Sequence, residues 1–578
     1  MRKTNEARLV VTLTLFLGAI VSNAQIIDHS LFDEMNRHGN DEKIEIVILM
    51  KAQYDRTQLN RNATFCHTRA ERREFVVNEL KAFSEATQYD LRHSLTEMER
   101  QGLTSAPRVL WSANALYLSA TKAALLELSK RNDIEIISLH VQRQLIPEEE
   151  PTKETSDSRE ITPNITQVNA DQVWALGYTG AGVVVAVVDS GVNYDHFDLA
   201  DHLWDGGEAF PHHGYDIVNG DDDPMDDKGH GTHVAGIVCG DGTSGSQTGV
   251  APDATLMCVK TTAADGFGGA VNIAGGMEWA VEHGCDLINL SQGMAGAGVA
   301  DKEIFRRTCS AILDAGIVAL VCAGNEGLSI LQMAYPIPDN IRVPASCPPP
   351  YLDPDQMANP GALSCVVAVG AVNYNDAAAD FTSQGPVTWQ DTEFGDYAYN
   401  PGIGLIRPDV CAPGVNIKSL DYQNTSGYTY YDGTSQATPC VAGIVALMLQ
   451  KNPELMPDEI CRILEETSVK LTPNKSNVTG VGRVDALAAV NAVPAWDKVN
   501  ESTVTKALVY PNPSTDFVTI CAQGLQRVEI SDITGKKLIT TPANLDELQL
   551  DLRQLVPGVY FVTTVTGQGS STKKLVKK

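Results

Sequence analysis

The chain has 578 residues, too many for one ordinary hydrophobic core, so several domains are expected. With 43% hydrophobic and 20% charged residues its composition is that of a folded globular protein. Its 44 basic against 72 acidic residues leave a formal net charge of -28, which repels phosphate backbones and anionic lipid and argues against a nucleic-acid partner.

Met1 to Ala24 opens with Arg2, Lys3 and Arg8, continues as an apolar run from Leu9 to Val21 and ends on Ser22-Asn23-Ala24. This is the pattern of a cleavable secretory signal, 1–24, whose apolar run is short for a bilayer span. No later segment reads as transmembrane. Export permits disulfides, yet Cys258, Cys322 and Cys440 fall inside apolar segments and read as small buried hydrophobes. Cys347 and Cys365 bracket a proline-rich loop, and a bridge between them stands beside two separate thiols.

Within 25–146, Lys43 to Met50 is mostly β-branched and Arg69 to Arg100 is charged with apolar residues at helical spacing. Asn114 to Ser119 alternates before a helix near Ala123 to Lys130, and the whole reads as a small α+β unit. Residues 147–160 are too polar to bury and read as an exposed linker.

In 161–495 short apolar runs alternate with helical patterns, the signature of a parallel sheet covered on both faces. Strands are expected at Val183–Val188, Thr255–Val259, Asp286–Leu290, Ile317–Val321 and Val366–Val369. Helices are expected at Val271–Glu282, Lys302–Asp314, Pro439–Gln450 and Pro457–Glu466. Ligands of such sheets lie beyond the carboxyl ends of the strands, which is where Asp189 and Asn325 fall. Residues 504–578 carry short alternating strands separated by turn residues and read as a separate small β-sandwich.

Three distant stretches carry chemistry: Val-Val-Asp189-Ser-Gly, Gly-His230-Gly-Thr-His-Val-Ala-Gly and Gly-Thr-Ser435-Gln-Ala-Thr-Pro. A serine hydroxyl becomes a nucleophile when a histidine takes its proton and a carboxylate fixes that histidine's tautomer. Ser435, just before an expected helix with proline in its first turn, sits beside backbone N–H groups able to bind an oxyanion; helix capping is the bland alternative. Asn325, in Ala-Gly-Asn-Glu-Gly, offers a side-chain amide for the same oxyanion, or simply turns the chain. His230 and His233 with Asp226 or Asp227 form a competing metal reading that lacks the glutamate of the zinc-protease signature.

The Asp, His, Ser order and the Ala-Gly-Asn segment resemble the subtilisin-like serine proteases, or subtilases. The likeness extends through Gly249-Val-Ala-Pro-Asp-Ala-Thr-Leu and Asp286-Leu-Ile-Asn-Leu-Ser-Gln-Gly293 to Gly482-Arg-Val-Asp-Ala486. It implies an α/β, subtilisin-like parallel sheet with helices on both faces, preceded by a small α+β propeptide and followed by the small β-sandwich. It makes Ser435 the nucleophile, His230 the general base and acid, Asp189 the orienting carboxylate and Asn325 the oxyanion donor. Protein or peptide substrate is expected to pair with Ser291, Gln292 and Gly293, and Gly324 and Glu326 to wall the side-chain pocket. Glu326 is a candidate to attract a basic side chain, beside a solvated rim glutamate as the plain alternative. No cofactor is expected for catalysis. Structural calcium in this family would fall at Asp198 and Asp241, though the loop around Asp241 is otherwise Gly, Ser and Thr.

By position the α+β unit resembles the inhibitory propeptides of the family, cleaved in the 147–160 linker; a permanent accessory domain is the alternative. The tail from Val509-Tyr-Pro-Asn-Pro513 through Pro557-Gly-Val-Tyr560 to Lys573-Lys-Leu-Val-Lys-Lys578 resembles the sorting domains of the type IX secretion system of Bacteroidetes, with carbohydrate binding as the other reading. The resemblances imply a secreted or cell-surface endopeptidase, exported through the periplasm, with the secretion machinery as a partner.

Overall fold

The computed structural model describes residues 26–146, 160–327, 331–349, 366–389, 404–496 and 508–578, apart from residues 65, 511, 513, 523, 533, 534, 544, 545 and 568. The expected signal peptide, residues 147–159 of the linker and Cys365 lie outside the described residues.

The amino-terminal unit holds β1 (Lys43–Met50), helix α1 (Arg69–Arg100), β2 (Arg108–Leu110), β3 (Ala115–Thr121) and β4 (Ile134–Leu139), paired in the order β2-β3-β1-β4. Side chains alternate across a strand, so β1 feeds two cores. Ile44, Ile46 and Ile48 pack with Leu91, Leu95 and Leu125, while Val47 and Leu49 join a cluster that runs into Met277, Ile304 and Phe305 of the following domain. Helix α1 begins at Thr68, whose hydroxyl accepts from the Glu71 amide at 3.1 Å, and the first turn carries Glu71 where the helix dipole favours an anion. Arg69 and Arg73 on this helix donate to main-chain carbonyls of Asp286, Gly316, Pro453 and Cys285, and Arg56 grips Asp314 through two 2.8 Å bonds. The unit ends in β5 (Arg143–Gln144).

The domain that follows is built on β6 (Val184–Asp189), β7 (Gly214–Asp216), β8 (Thr255–Lys260), β9 (Phe267–Gly268), β10 (Leu287–Leu290), β11 (Val318–Cys322), β12 (Val367–Val372), β13 (Val410–Pro413), β14 (Ile417–Leu420), β15 (Tyr428–Tyr431), β16 (Val469–Lys470) and β17 (Gly482–Arg483). The main sheet runs β16-β17-β13-β12-β11-β10-β6-β8-β7, parallel except for the β16–β17 edge. Strands buried on both faces must be apolar throughout, as Val185–Val188 and Ala319–Val321 are. Helices α2 (His230–Cys239), α3 (Ala270–Glu282), α4 (Val299–Asp314) and α5 (Thr434–Lys451) cover the sheet. Two hydrophobic clusters divide its faces: Ala186 and Val188 with α3 and α4 on one, Val185 and Val187 with α2 and α5 on the other. The subtilisin-like parallel sheet with helices on both faces is therefore present. After β6 the chain builds outward through β8 and β7 on one side and β10 to β13 on the other, so the switch point lies at the carboxyl ends of β6 and β10.

One expectation is corrected. Helix α5 begins at Thr434 rather than Pro439, so Pro439 lies inside the helix and Ser435 in its first turn. The missing Pro439 N–H would have bonded the Ser435 carbonyl four residues back. That carbonyl instead accepts from the Ser291 hydroxyl at 2.8 Å, which lets the helix continue through the proline.

The carboxyl-terminal unit, Trp496–Lys578, is compact by itself. Strands Leu508–Tyr510, Phe517–Cys521 and Glu547–Asp551 form one sheet, and Leu525–Ser531, Lys537–Pro542, Gly558–Thr566 and Gly569–Lys577 the other. Alternating residues of both, among them Ile520, Leu550, Val528, Ile530, Val562 and Leu575, share one core, as in a small sandwich.

Candidate active site

Asp189 ends β6, and the His230 ring reaches it across the carboxyl edge of the sheet: Nδ1 lies 2.7 Å from Asp189 Oδ1, with both side chains buried. The same oxygen accepts from the Ser190 amide at 2.8 Å, while Oδ2 is buried with no hydrogen-bond partner among the described residues. The carboxylate is thus aimed at the imidazole, which fixes the tautomer with Nε2 turned toward the cleft. His230 opens α2 after Gly229, whose φ of 101° is costly for any other residue. The helix meets the β6 turn so closely that a Cβ on Gly231 would lie 2.0 Å from the Gly191 carbonyl oxygen, which accounts for glycine after the histidine.

A residue that the sequence offers only as an alternative metal ligand holds this corner together. Asp226 is buried; its Oδ1 accepts from Ser190 Oγ and the Lys228 and Gly229 amides, and its Oδ2 from the Thr232 amide and hydroxyl, all between 2.6 and 3.0 Å. It caps the start of α2 and ties that helix to the residue after Asp189. Burial pushes its carboxyl up, and the Thr232, Gly229 and Lys228 donors pull it back. The metal alternative finds no ligand set among the described residues. Asp226 is taken by five donors, and His233 turns into the core, with Nε2 3.1 Å from the Ile417 carbonyl oxygen, its ring against Tyr431 and its pKa pushed down to about 3 by burial, with His230 adding to the shift.

Ser435 is fixed by a reciprocal pair, its Oγ donating to the Ser291 carbonyl at 2.9 Å and the Ser291 hydroxyl donating back to its own carbonyl. This places the nucleophile candidate just beyond β10, the strand beside β6. Asn325 lies three residues past β11. Its Oδ1 accepts from the Thr434 amide at 3.0 Å and hydroxyl at 2.9 Å, so the acceptor end is held and the Nδ2 donor end is turned out. A Cβ on Gly433 would stand 3.2 Å from that Nδ2 and 3.5 Å from the Ser435 amide nitrogen, so both nitrogens border the space beside Gly433. Two donors bordering one space next to a hydroxyl are the parts from which an oxyanion hole is built. Thr434, which orients Asn325, was not singled out from sequence; a threonine beside a serine carries no signal until the fold brings the asparagine to it.

The substrate-binding candidates separate. Ser291 bonds Ser435 and the Gly324 amide donates to the neighbouring Thr434 hydroxyl, whereas Gly293 lies against Arg342 and Val343 and Gln292 points the other way. Its Nε2 donates to the Val188 carbonyl at 3.0 Å and its Oε1 accepts from the Thr262 hydroxyl, so its side chain braces β6 beneath Asp189. In the extended chain successive side chains face opposite sides, and only Ser291 and Gly293 share the cleft side. Glu326 is not a free carboxylate able to attract a basic side chain. It is 1% exposed, paired with the Arg342 guanidinium at 2.5 and 2.9 Å, and accepts from the Ser383 hydroxyl. Arg342 comes from a segment with no motif, hence its absence from the sequence-based reading.

The cleft also receives the end of the amino-terminal unit. Strand β5 pairs antiparallel with β9, Arg143 opposite Gly268 and Gln144 opposite Phe267, and Leu145 donates to the Gly266 carbonyl at 2.9 Å. Leu145 and Ile146 are buried there, and the Leu145 carbonyl accepts from Arg342 at 2.7 Å.

Asp198 and Asp241 do lie together, the Asp241 amide donating to the Asp198 carbonyl. Their carboxylates are occupied, Asp198 by the Ser244 amide at 2.5 Å and the Tyr428 hydroxyl at 2.8 Å, Asp241 by the amide and hydroxyl of Thr243. Each of these carboxylate oxygens has one protein donor, and no third acidic or histidine side chain joins the pair among the described residues.

A model of the subtilase family matches residues 180–483, more than half of the chain, and a model of a secretion system C-terminal sorting domain matches residues 508–578. Bacillopeptidase F of Bacillus subtilis (strain 168) is 30% identical over 489 residues, which cover 79% of this chain and 31% of that relative. Serine protease AprX of the same organism is 34% identical over 346 residues, covering 55% of this chain and 67% of the relative, and subtilisin DY of Bacillus licheniformis is 33% identical over 325 residues, covering 56% and 97%. A crystal structure of a cold adapted subtilisin-like serine proteinase aligns at 25% identity with a TM-score of 0.39, covering 54% of this chain and 90% of that one. With an aspartate, a histidine and a serine carried to the carboxyl edge of one parallel sheet and the family match spanning that sheet, the chain belongs to the subtilase family of serine proteases.

Proposed function

We propose that the chain is a secreted endopeptidase, made as a zymogen, that cleaves proteins through an acyl-enzyme on Ser435. His230 takes the hydroxyl proton as Ser435 attacks the substrate carbonyl and returns it to the leaving amine; Asp189 holds the imidazole and stabilises its charged form. The Asn325 side chain and the Ser435 amide receive the oxyanion, an interaction stronger in the transition state than in the bound substrate. No cofactor takes part in these steps. Domain roles follow: 1–24 signal peptide, 25–146 propeptide, 147–160 processing linker, 161–495 catalytic domain, 504–578 sorting domain read by a type IX machinery of the Bacteroidetes kind, with passage through the periplasm to the surface or medium.

The observation that carries this reading is the seating of Arg143–Ile146 along β9 in the manner of an extended peptide, leading straight into the linker. The test is Ser435→Ala beside the parent chain in the native host. The parent should be cut within 147–160 and hydrolyse unfolded protein, and the variant should do neither. Normal maturation of the variant would assign processing to another enzyme.

A further inference from the structure

We propose that Arg342 is a specificity-determining residue, a built-in guanidinium that fills the base of the substrate side-chain pocket and masks Glu326, so that cleavage follows small and aliphatic side chains and basic ones are turned away. The inference rests on the peptidase reading above.

The slot expected to take a substrate side chain lies between two stretches of backbone, Ser291–Gly293 beyond β10 and Gly324–Glu326 beyond β11. Residues 342 and 343 are wedged between them: the Arg342 amide donates to the Ala323 carbonyl at 3.0 Å, and Val343 exchanges bonds of 2.8 and 3.0 Å with Met294. From there the arginine stem crosses the slot. A Cβ on Gly293 would lie 3.1 Å from Arg342 Cβ, and one on Gly324 would lie 2.9 Å from Arg342 Cγ. Both walls lack side chains where the arginine passes, so the stem takes the volume that a large substrate side chain would need.

The head group decides the charge. Nε and Nη2 both donate to Glu326 Oε1 at 2.9 and 2.5 Å, and Nη1 divides between the Gly293 carbonyl at 3.2 Å and the Leu145 carbonyl at 2.7 Å. Glu326 Oε2 is taken by the Ser383 hydroxyl. A substrate lysine or arginine would have to displace a paired, buried guanidinium and would meet its charge at close range, a repulsive element of the kind that sets specificity. An acidic side chain gains little, because the guanidinium already has its counter-ion. What remains attractive is apolar contact, and the present occupants of the cleft, Leu145 and Ile146, are aliphatic. The Nη1 bond to Leu145 is to a main-chain carbonyl, which every peptide substrate also carries.

The test profiles the residue on the acyl side of the cut, using chains freed of their amino-terminal unit after folding at full length, a peptide library and a fluorophosphonate probe to count active sites. Arg342→Ala uncovers the Glu326 carboxylate and should raise the ratio of lysine to leucine cleavage at least about tenfold. Glu326→Gln frees the guanidinium and should shift the ratio toward glutamate. The double change Arg342→Ala with Glu326→Ala leaves no unpaired buried charge, so it guards against a folding defect, and should raise cleavage after phenylalanine about tenfold or more. Variants that label normally and keep the parent profile would overturn the role of Arg342 while leaving the peptidase reading intact. A parent chain that neither labels nor cleaves would overturn both.

Discussion

Replacing Glu278 by glutamine should stabilise the protein, by an amount that grows with pH. Glu278 lies on α3 beneath the amino-terminal unit, where its Oε1 accepts from the Ser112 amide at 2.7 Å. Burial pushes its carboxyl from 4.5 up to about 8; Glu282 pushes the same way, and Ser112 and Arg108 pull back. An acid whose folded value is raised keeps a proton that the unfolded chain gives up. Below about pH 4.5 both states are protonated and the group contributes nothing. Between about 4.5 and about 8 the folded state holds the extra proton, so each pH unit removes about 1.4 kcal/mol of stability, to a ceiling of about 5 kcal/mol. Glutamine keeps the acceptor for Ser112 and cannot titrate, so the difference between parent and variant isolates this group from every other. Unfolding free energies of the full chains from pH 4.5 to 8, by calorimetry or denaturant, should diverge steadily in favour of the variant. A difference that stays flat over that range would refute the reasoning and place Glu278 in contact with water.

Asn325→Ala should lower kcat by about a hundredfold or more with little change in KM, the size of loss that a subtilisin shows when an oxyanion donor is removed; an equal rise in KM would instead mark a role in ground-state binding. Asp226→Asn should cost about 3 kcal/mol or more, because whichever way the amide turns at least two hydrogen bonds to a charged oxygen are lost, and kcat should fall as His230 loosens; unchanged unfolding curves would contradict that. Removing residues 504–578 should leave the enzyme in the periplasm, which cell fractionation would show, and normal delivery to the medium would dismiss the sorting role.

The main sheet was legible because strands buried on both faces write themselves as unbroken apolar runs, and the Val183–Val188 and Ile317–Val321 expectations fall within one residue of β6 and β11. Asp189, His230 and Ser435 were legible because glycine and helix signals surround each of them. The start of α5 was misread, since Pro439 looks like a helix opener until the Ser291 hydroxyl is found satisfying the carbonyl it orphans. Gln292 was misread for want of a register, which alone decides the side of the strand its amide takes. Arg342, Asp226 and Thr434 act through partners 16, 36 and 109 positions away in the chain, and no local pattern reports such pairings.

The most direct test of the account is covalent labelling by a fluorophosphonate followed by peptide mapping. The parent chain, freed of its amino-terminal unit, should take up one equivalent, on Ser435, and His230→Ala should take up almost none. Label on another residue, or an unimpaired rate without the imidazole, would contradict the claim that Asp189, His230 and Ser435 work as one device.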